Sequence, residues 1–297
     1  MEDGISSVVS PFIMLFCMQT IYTVLDSMTE NHFFSLSCTL HGHVIATPDY
    51  TSGKPWDRGW PQNLYLDPKS PLVASINFPK DFDIAKTPLV TFRQIDILFS
   101  KEELIQIHRE IQPPATILED DSLFGEQAVW TVPLPEYLAE FLAPLPTGNY
   151  KTMIVNTAGH WTVEAFSKTS PPGIEGVINL FKHAVQRWAD EVETHIKASA
   201  PVLSWRLGPA AQKASRKRVV VRAYIPVHGE CHNARQPTKT VLWNWNNWGE
   251  IWQFNDIFDV SYFVIDSYRS PEQLPGPRCI EALVQPKSIS GYPLSWY

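Results

Sequence analysis

The sequence offers little to a membrane span, a metal cluster or a nucleic-acid partner. No stretch of about 20 apolar residues runs uninterrupted, so no transmembrane helix is expected. Cysteine is scarce. Cys17, Cys38, Cys231 and Cys279 form no close CxxC pair, which argues against structural zinc. His228, Cys231 and His232 lack the matching second pair a zinc site needs, so neither metal nor cofactor is expected. Positive charge is also short: 24 Lys and Arg against 31 Asp and Glu give a net charge of -7. That balance does not suit a general nucleic-acid binder. The basic cluster Lys213, Arg216, Lys217 and Arg218 is local, and it precedes the apolar run Val219–Val221. It reads as a solvated strand entrance. Internal repeats and low-complexity tracts are lacking.

Apolar residues are plentiful. At 44% of 297 residues they can bury a full core, which excludes wholesale disorder. The chain 1–297 reads as one domain, with a long loop-rich insertion over 42–88. Eleven Trp is an unusually large number. Some belong in the core, but indole faces also stack on the apolar C–H side of sugar rings, and composition does not separate the two uses. The N-terminal run "SVVSPFIMLFCMQTIYTVL" is interrupted by Pro11, and Glu2 and Asp3 are the wrong charge for a signal-peptide start. It reads as interior structure leading into the first strand, with a degenerate signal or anchor as the alternative.

Strand-like and helix-like runs alternate. Thr20–Leu25 reads as a buried strand, and Glu30 to about Leu40 as a helix that Thr29 could cap. Leu72–Phe78, Leu89–Phe92, Ile95–Phe99 and Thr152–Val155 read as strands. Lys101–Ile111 and Tyr137–Leu142 read as helices. The longest helix, about Ile174 to Ala198, places Val177, Ile178, Phe181, Ala184, Val185, Trp188, Val192 and Ile196 on one face. "RVVVRAYIP" reads as a strand, "NNWGEIWQFNDIF" as a helix and "YFVID" as the last strand. A repeating β–α order favours an α/β sheet of mainly parallel strands with helices on both faces.

Ligands collect at the carboxyl ends of such strands. Three ends carry chemistry: Asp26-Ser27, Asn156 with Gly159-His160-Trp161, and Val227 to His232. A serine at a strand-to-helix turn exposes its hydroxyl beside helix N-terminal amides, which can hold a developing oxyanion. An asparagine from a neighbouring strand end can donate to the same oxygen. That arrangement serves acyl transfer; a helix-cap serine and a loop asparagine are the plainer reading of the same residues.

Four blocks weight the balance. "VLDSMTENHFFSLSC" resembles the nucleophile block of the SGNH/GDSL hydrolases in the PC-esterase group, the group of the trichome-birefringence-like plant and the fungal capsule O-acetyltransferases. "VNTAGHW" is similar to its Asn-Thr-Gly-His-Trp block with one extra residue, Ala158. "VRAYIPVHGEC" resembles its Tyr-Arg-(Thr/Ser)-x-x-Pro-x-His-x-x-Cys block, and "WNWNNWGEIWQFNDIF" its aromatic, Asn-rich segment. The blocks stand in the family's order from Ile21 to about Cys279. The resemblance implies a three-layer α/β/α fold around a mainly parallel sheet. It implies Ser27 as nucleophile and Asn156 in the oxyanion hole, with Asn31, His160, Trp161 and Arg222 on the substrate. It implies a polysaccharide substrate, an acetyl donor that the sequence does not identify, and a Cys231–Cys279 disulfide. That bridge would place the protein in the secretory pathway, in the Golgi lumen or outside the cell. Relatives carry a Cys-rich lead-in that this chain does not show, and any membrane association would run through such an N-terminal segment. Trp56 and Trp60, in the long insertion, are candidate sugar platforms, whereas Trp245, Trp248 and Trp252 share a helix face and suit core packing.

The sequence departs from the family at its base. The C-terminal Asp-x-x-His of relatives corresponds to "PGPRCIEAL", with Arg278 for the Asp and Glu281 for the His, and no histidine follows. Leu25 also stands where the family has glycine before Asp-Ser. A serine without a general base is a poor nucleophile, and losing one triad member typically costs on the order of 10⁴–10⁶ in kcat. Glu281 is a weak substitute that Arg278 would weaken further. His228 and His232 are candidate substitutes on the loop after the penultimate strand, although in relatives the first has a structural or substrate-positioning role. The sequence therefore leaves two functions open: a carbohydrate O-acetyl esterase or O-acetyltransferase, and an inactive homologue that keeps the fold and a glycan groove. A truncated chain is a third reading.

Overall fold

An apolar run rich in β-formers builds β1 (Thr20–Leu25), and the chain passes at once into α1 (Ser27–Thr39). The computed structural model describes residues 20–25, 27–49, 59–112, 123–199 and 217–222, together with Ile13, Ser52 and Asp57. Within them follow β2 (Val44–Thr47), β3 (Gln62–Leu66), β4 (Val90–Gln94), α2 (Lys101–Ile111), α3 (Leu134–Leu142), β5 (Tyr150–Val155), α4 (Ile174–Ser199) and β6 (Arg218–Val221). The expected helix "NNWGEIWQFNDIF" and strand "YFVID" lie outside the described residues.

The strands form one mixed sheet in the order β2-β3-β4-β1-β5-β6. β4, β1, β5 and β6 run parallel, and β3 and β2 extend the β4 edge as an antiparallel pair. The fold is α/β. β1 pairs with β4 on one side and β5 on the other, so the winding reverses there, and in open α/β sheets that reversal opens a crevice outside the carboxyl ends. The apolar residues divide as strand alternation requires. Tyr22, Val24, Met153 and Val155 join the cluster that includes α2, α3 and α4. Val90, Phe92 and the partly buried Ile21 and Ile154 join Phe33 and Leu40 of the α1 side, with Ile13.

The longest helix forms where the periodicity placed it. Every α4 position assigned to the apolar face is buried. The Trp188 indole donates to Tyr137 Oη at 2.8 Å, and Tyr137 donates on to the Leu98 carbonyl at 2.8 Å, tying α4 and α3 to the loop after β4. α2 begins in a capping box: Ser100 Oγ accepts from the Glu103 amide and Glu103 accepts from the Ser100 amide. A charged cluster lies between β1, β4 and α3. Arg93 donates to Glu136 at 2.6 Å and to Glu140, which also accepts from Tyr22 Oη at 2.5 Å.

Several sequence expectations are corrected. Helix α1 starts at Ser27 rather than Glu30, so Thr29 lies inside its first turn instead of capping it. Leu72–Phe78 is not a strand: Ser70 accepts from the Leu72 amide and starts a 3-10 turn over Pro71–Ser75. Ile95–Phe99 is a buried irregular loop, because Leu98 takes a φ of 65° that no strand contains. The 42–88 insertion is loop-rich but contributes the antiparallel strands β2 and β3.

Lys217 is no solvated entrance residue. Its Nζ donates to the carbonyls of Phe141 at 2.9 Å and Tyr150 at 2.8 Å, and it sits over the Phe141 ring. Burial, with Lys151 adding repulsion, pushes the ammonium down from 10.5 to about 7. The unfolded chain keeps this proton up to about 10.5 while the folded chain releases it near 7, so stability contributed here rises with pH across that window. Denaturation midpoints measured from pH 6.5 to 10 are expected to climb more steeply in the wild type than in Lys217→Met.

Candidate functional site

The carboxyl edge of the parallel strands is assembled from their register. Leu25 stands opposite Gln94 of β4, Val24 opposite Val155 of β5, and Val155 opposite Val221 of β6. The residues that follow these strands therefore converge. Ser27 opens α1 directly beyond β1. Asn156 follows β5, is 1% exposed, donates its backbone amide to the Val24 carbonyl at 3.2 Å and its Nδ2 to the Arg222 carbonyl at 2.9 Å. An amide nitrogen carries two hydrogens, and the Arg222 carbonyl takes one of them.

Arg222 follows β6 and returns its amide to the Val155 carbonyl at 2.8 Å. Its guanidinium then reaches across to the first turns of α1. Nη2 donates to Thr29 Oγ1 at 2.7 Å, and Nη1 lies 2.9 Å from His32 Nδ1, which must accept because a guanidinium only donates. The guanidinium thus sits against the first turns of α1, and a helix N-terminus and a guanidinium each favour a negative charge nearby. Glu30, in the same first turn, is buried and accepts from Gln62 Nε2 at 2.8 Å, which fastens α1 to the start of β3. Asn31, one turn beyond Ser27, is exposed.

The loops after β4 and β5 meet around the end of β1. Asp96 is 2% exposed. Its Oδ2 accepts from the Trp130 amide at 2.7 Å and its backbone carbonyl accepts from Thr157 Oγ1 at 2.9 Å. His160 Nε2 lies 3.6 Å from Asp96 Oδ1, with the imidazole 24% exposed. Trp161 is 1% exposed, stacks on Phe166, meets Phe181 edge-on, and donates to Thr157 Oγ1. Its ring is core and presents no face to a sugar. Trp60 is 54% exposed. It precedes Gln62, which opposes Phe92 in the antiparallel pair, so it lies at the same sheet edge as Ser27.

The edge thus gathers Ser27, Asn31, Asn156, His160, Arg222 and Trp60. Trp56, His228, Cys231, His232, Cys279 and Glu281 lie outside the described residues, as does the Cys231–Cys279 pairing. Cys38 is a free, exposed cysteine. Among the described residues no three His, Cys, Asp or Glu side chains group as metal ligands, and no helix is long and apolar enough to cross a membrane. Sequence reasoning missed Asp96. An Asp inside the apolar run "QIDILF" was the available signal for Asp96, since a charge in such a run needs a partner.

No protein-family model, curated protein or solved structure matches the chain.

The Arg222–Thr29 bond ties the end of β6 to α1, and Thr29 is 5% exposed. Hydrogen bonds to charged groups contribute roughly 1.5–3 kcal/mol. Thr29→Val keeps the shape and removes the acceptor, so a loss in about that range is expected in chemical denaturation. A neutral substitution would mean that the guanidinium repartners without cost.

Proposed function

We propose that this chain is a serine-dependent acyl esterase or O-acyltransferase of the SGNH type, acting on acetylated carbohydrate. One observation carries the reading. A serine opens the helix after the central strand, at the point where the winding reverses, and a buried asparagine from the adjacent strand end donates its backbone amide to that strand's Val24 carbonyl. In this reading the sheet and its two helical faces form the three-layer α/β/α arrangement of those enzymes. Ser27 Oγ attacks the acetyl carbonyl. The α1 amides and the Asn156 side chain hold the tetrahedral oxyanion, and Arg222 adds positive charge. The acetyl group leaves Ser27 for water or a sugar hydroxyl. Trp60, exposed on the same edge, offers a face for a sugar ring. A Cys231–Cys279 bridge and a secretory-pathway lumen belong to the same proposal, and the substrate would be a polysaccharide or glycan.

The second reading, a glycan-binding homologue without catalysis, is favoured by Arg278 and Glu281 standing where the resemblance expects Asp and His. Acetyl release from p-nitrophenyl acetate and from acetylated xylan separates the two. Turnover that vanishes in Ser27→Ala and falls about 10²–10³-fold in Asn156→Ala is expected for the enzyme. Equal background in wild type and Ser27→Ala would leave the binding reading, which predicts retention on a glycan column that Trp60→Ala weakens.

A further inference from the structure

We propose that His108 is an acid-sensitive latch that holds the chain entering α4 against the last turn of α2, and that mild acid opens it. The inference is independent of the catalytic reading. His108 lies in the last turn of α2 and is 8% exposed. Its Nε2 lies 3.2 Å from the backbone nitrogen of Ser170, just before α4 begins. The Gln112 side-chain nitrogen lies 2.7 Å from the same ring atom and 3.0 Å from Nδ1. A backbone amide can only donate, so Nε2 accepts. The ring is therefore neutral, with its proton on Nδ1.

Ser170 belongs to the connection from β5 to α4, whose first residues, from Asn156, stand at the carboxyl edge. Other bonds hold the middle of that connection. Thr162 donates to the Gln127 side chain, the Gly125 amide to the Ala165 carbonyl, and the Lys168 amide to the Leu123 carbonyl. None of those acceptors takes a proton near neutral pH, whereas the imidazole that receives the Ser170 amide does. A proton on Nε2 sets two donors face to face and removes the bond. Titratable groups flank the ring on each element: Arg109 and Glu110 on α2, Lys168 on the incoming chain, Glu175 and His183 on α4. None of them bonds to the ring, and Glu110 is bound to Arg187 at 2.6 Å.

The sign of the effect follows from burial. A helix C-terminus favours an imidazolium, yet burial outweighs it here and holds His108 below its ordinary 6.5. The opened chain takes the proton near 6.5, and the closed latch takes it only at lower pH. The stability that the latch contributes is thus fully present above 6.5 and is lost as pH falls from there toward the folded value. With one proton involved, opening becomes up to about tenfold more favourable per pH unit within that window.

The test is amide hydrogen exchange of the full chain, read residue by residue by NMR across the acid side of neutrality and corrected for the intrinsic pH dependence of exchange. Protection of the Ser170 amide is expected to fall by up to about tenfold per pH unit below 6.5. Ser170 is also expected to exchange well before the β1 amides in that range, which marks local opening rather than unfolding. In His108→Gln the side-chain oxygen can accept from Ser170 but does not titrate, so the fall is expected to disappear. Level protection at Ser170, an equal fall in His108→Gln, or equal protection at Ser170 and β1 would each overturn the latch. Should that variant not fold, the ring nitrogens of the wild type decide by ¹⁵N NMR. An Nδ1–H ring that gains its second proton as the Ser170 amide shifts supports the latch, and an Nε2–H ring at neutral pH overturns it.

Discussion

The pairing of β1 between β4 and β5 is the constraint on which the rest depends. A strand with a parallel neighbour on each side has no free edge, and its two faces must both be covered. The chain leaving β1 can only turn out over the carboxyl edge, and it does so by entering α1 at once. Helix N-terminal amides therefore face the same spot that the β4 and β5 loops must cross. Asn156 reinforces this. Its backbone amide holds the Val24 carbonyl and its side chain holds the Arg222 carbonyl, so three strand ends share one buried residue. Thr157 then bridges to the Asp96 carbonyl across 61 residues of sequence.

Perturbed ionisable groups often mark active sites, but location decides which of them do. Tyr22 is held well above its ordinary range by burial and by Glu140, and burial likewise raises Tyr137. Both belong to the core cluster of α3 and α4. Lys217 precedes β6 and binds the carbonyl of Tyr150, the first residue of β5, so it sits at the amino edge of the sheet. Arg93 bonds to Glu136 and Glu140 on α3. These groups show what burial does to charge inside the scaffold. At the carboxyl edge the polar side chains come instead from loops and from a helix N-terminus, where they can meet a ligand.

Local pattern made much of this legible. The 3.6-residue period of α4 and the β-branched runs of β1 and β4 each carry their own signal. Ser27, Asn156 and Arg222 could be singled out because each follows a strand. The rest depended on contacts that sequence does not encode locally. "IDILF" has strand composition, yet the Asp96 amide and carboxylate both bond to Trp130 and draw it into a loop. Lys217 read as a surface cation because nothing nearby in sequence shows the two carbonyls that receive it. The resemblance of "VNTAGHW" put Trp161 on the substrate, while the structure gives its ring to Phe166 and Phe181.

The Asp96–His160 pairing is the part least visible in sequence, and its energetics argue for more than packing. Keeping a carboxylate almost wholly out of water costs several kcal/mol unless a positive or strongly donating partner offsets it. If the Trp130 amide were the only demand, a neutral asparagine oxygen would accept that bond without the cost of burying charge. A carboxylate gains over an amide only beside a group that becomes positive. The imidazole whose Nε2 lies 3.6 Å from Oδ1 is such a group.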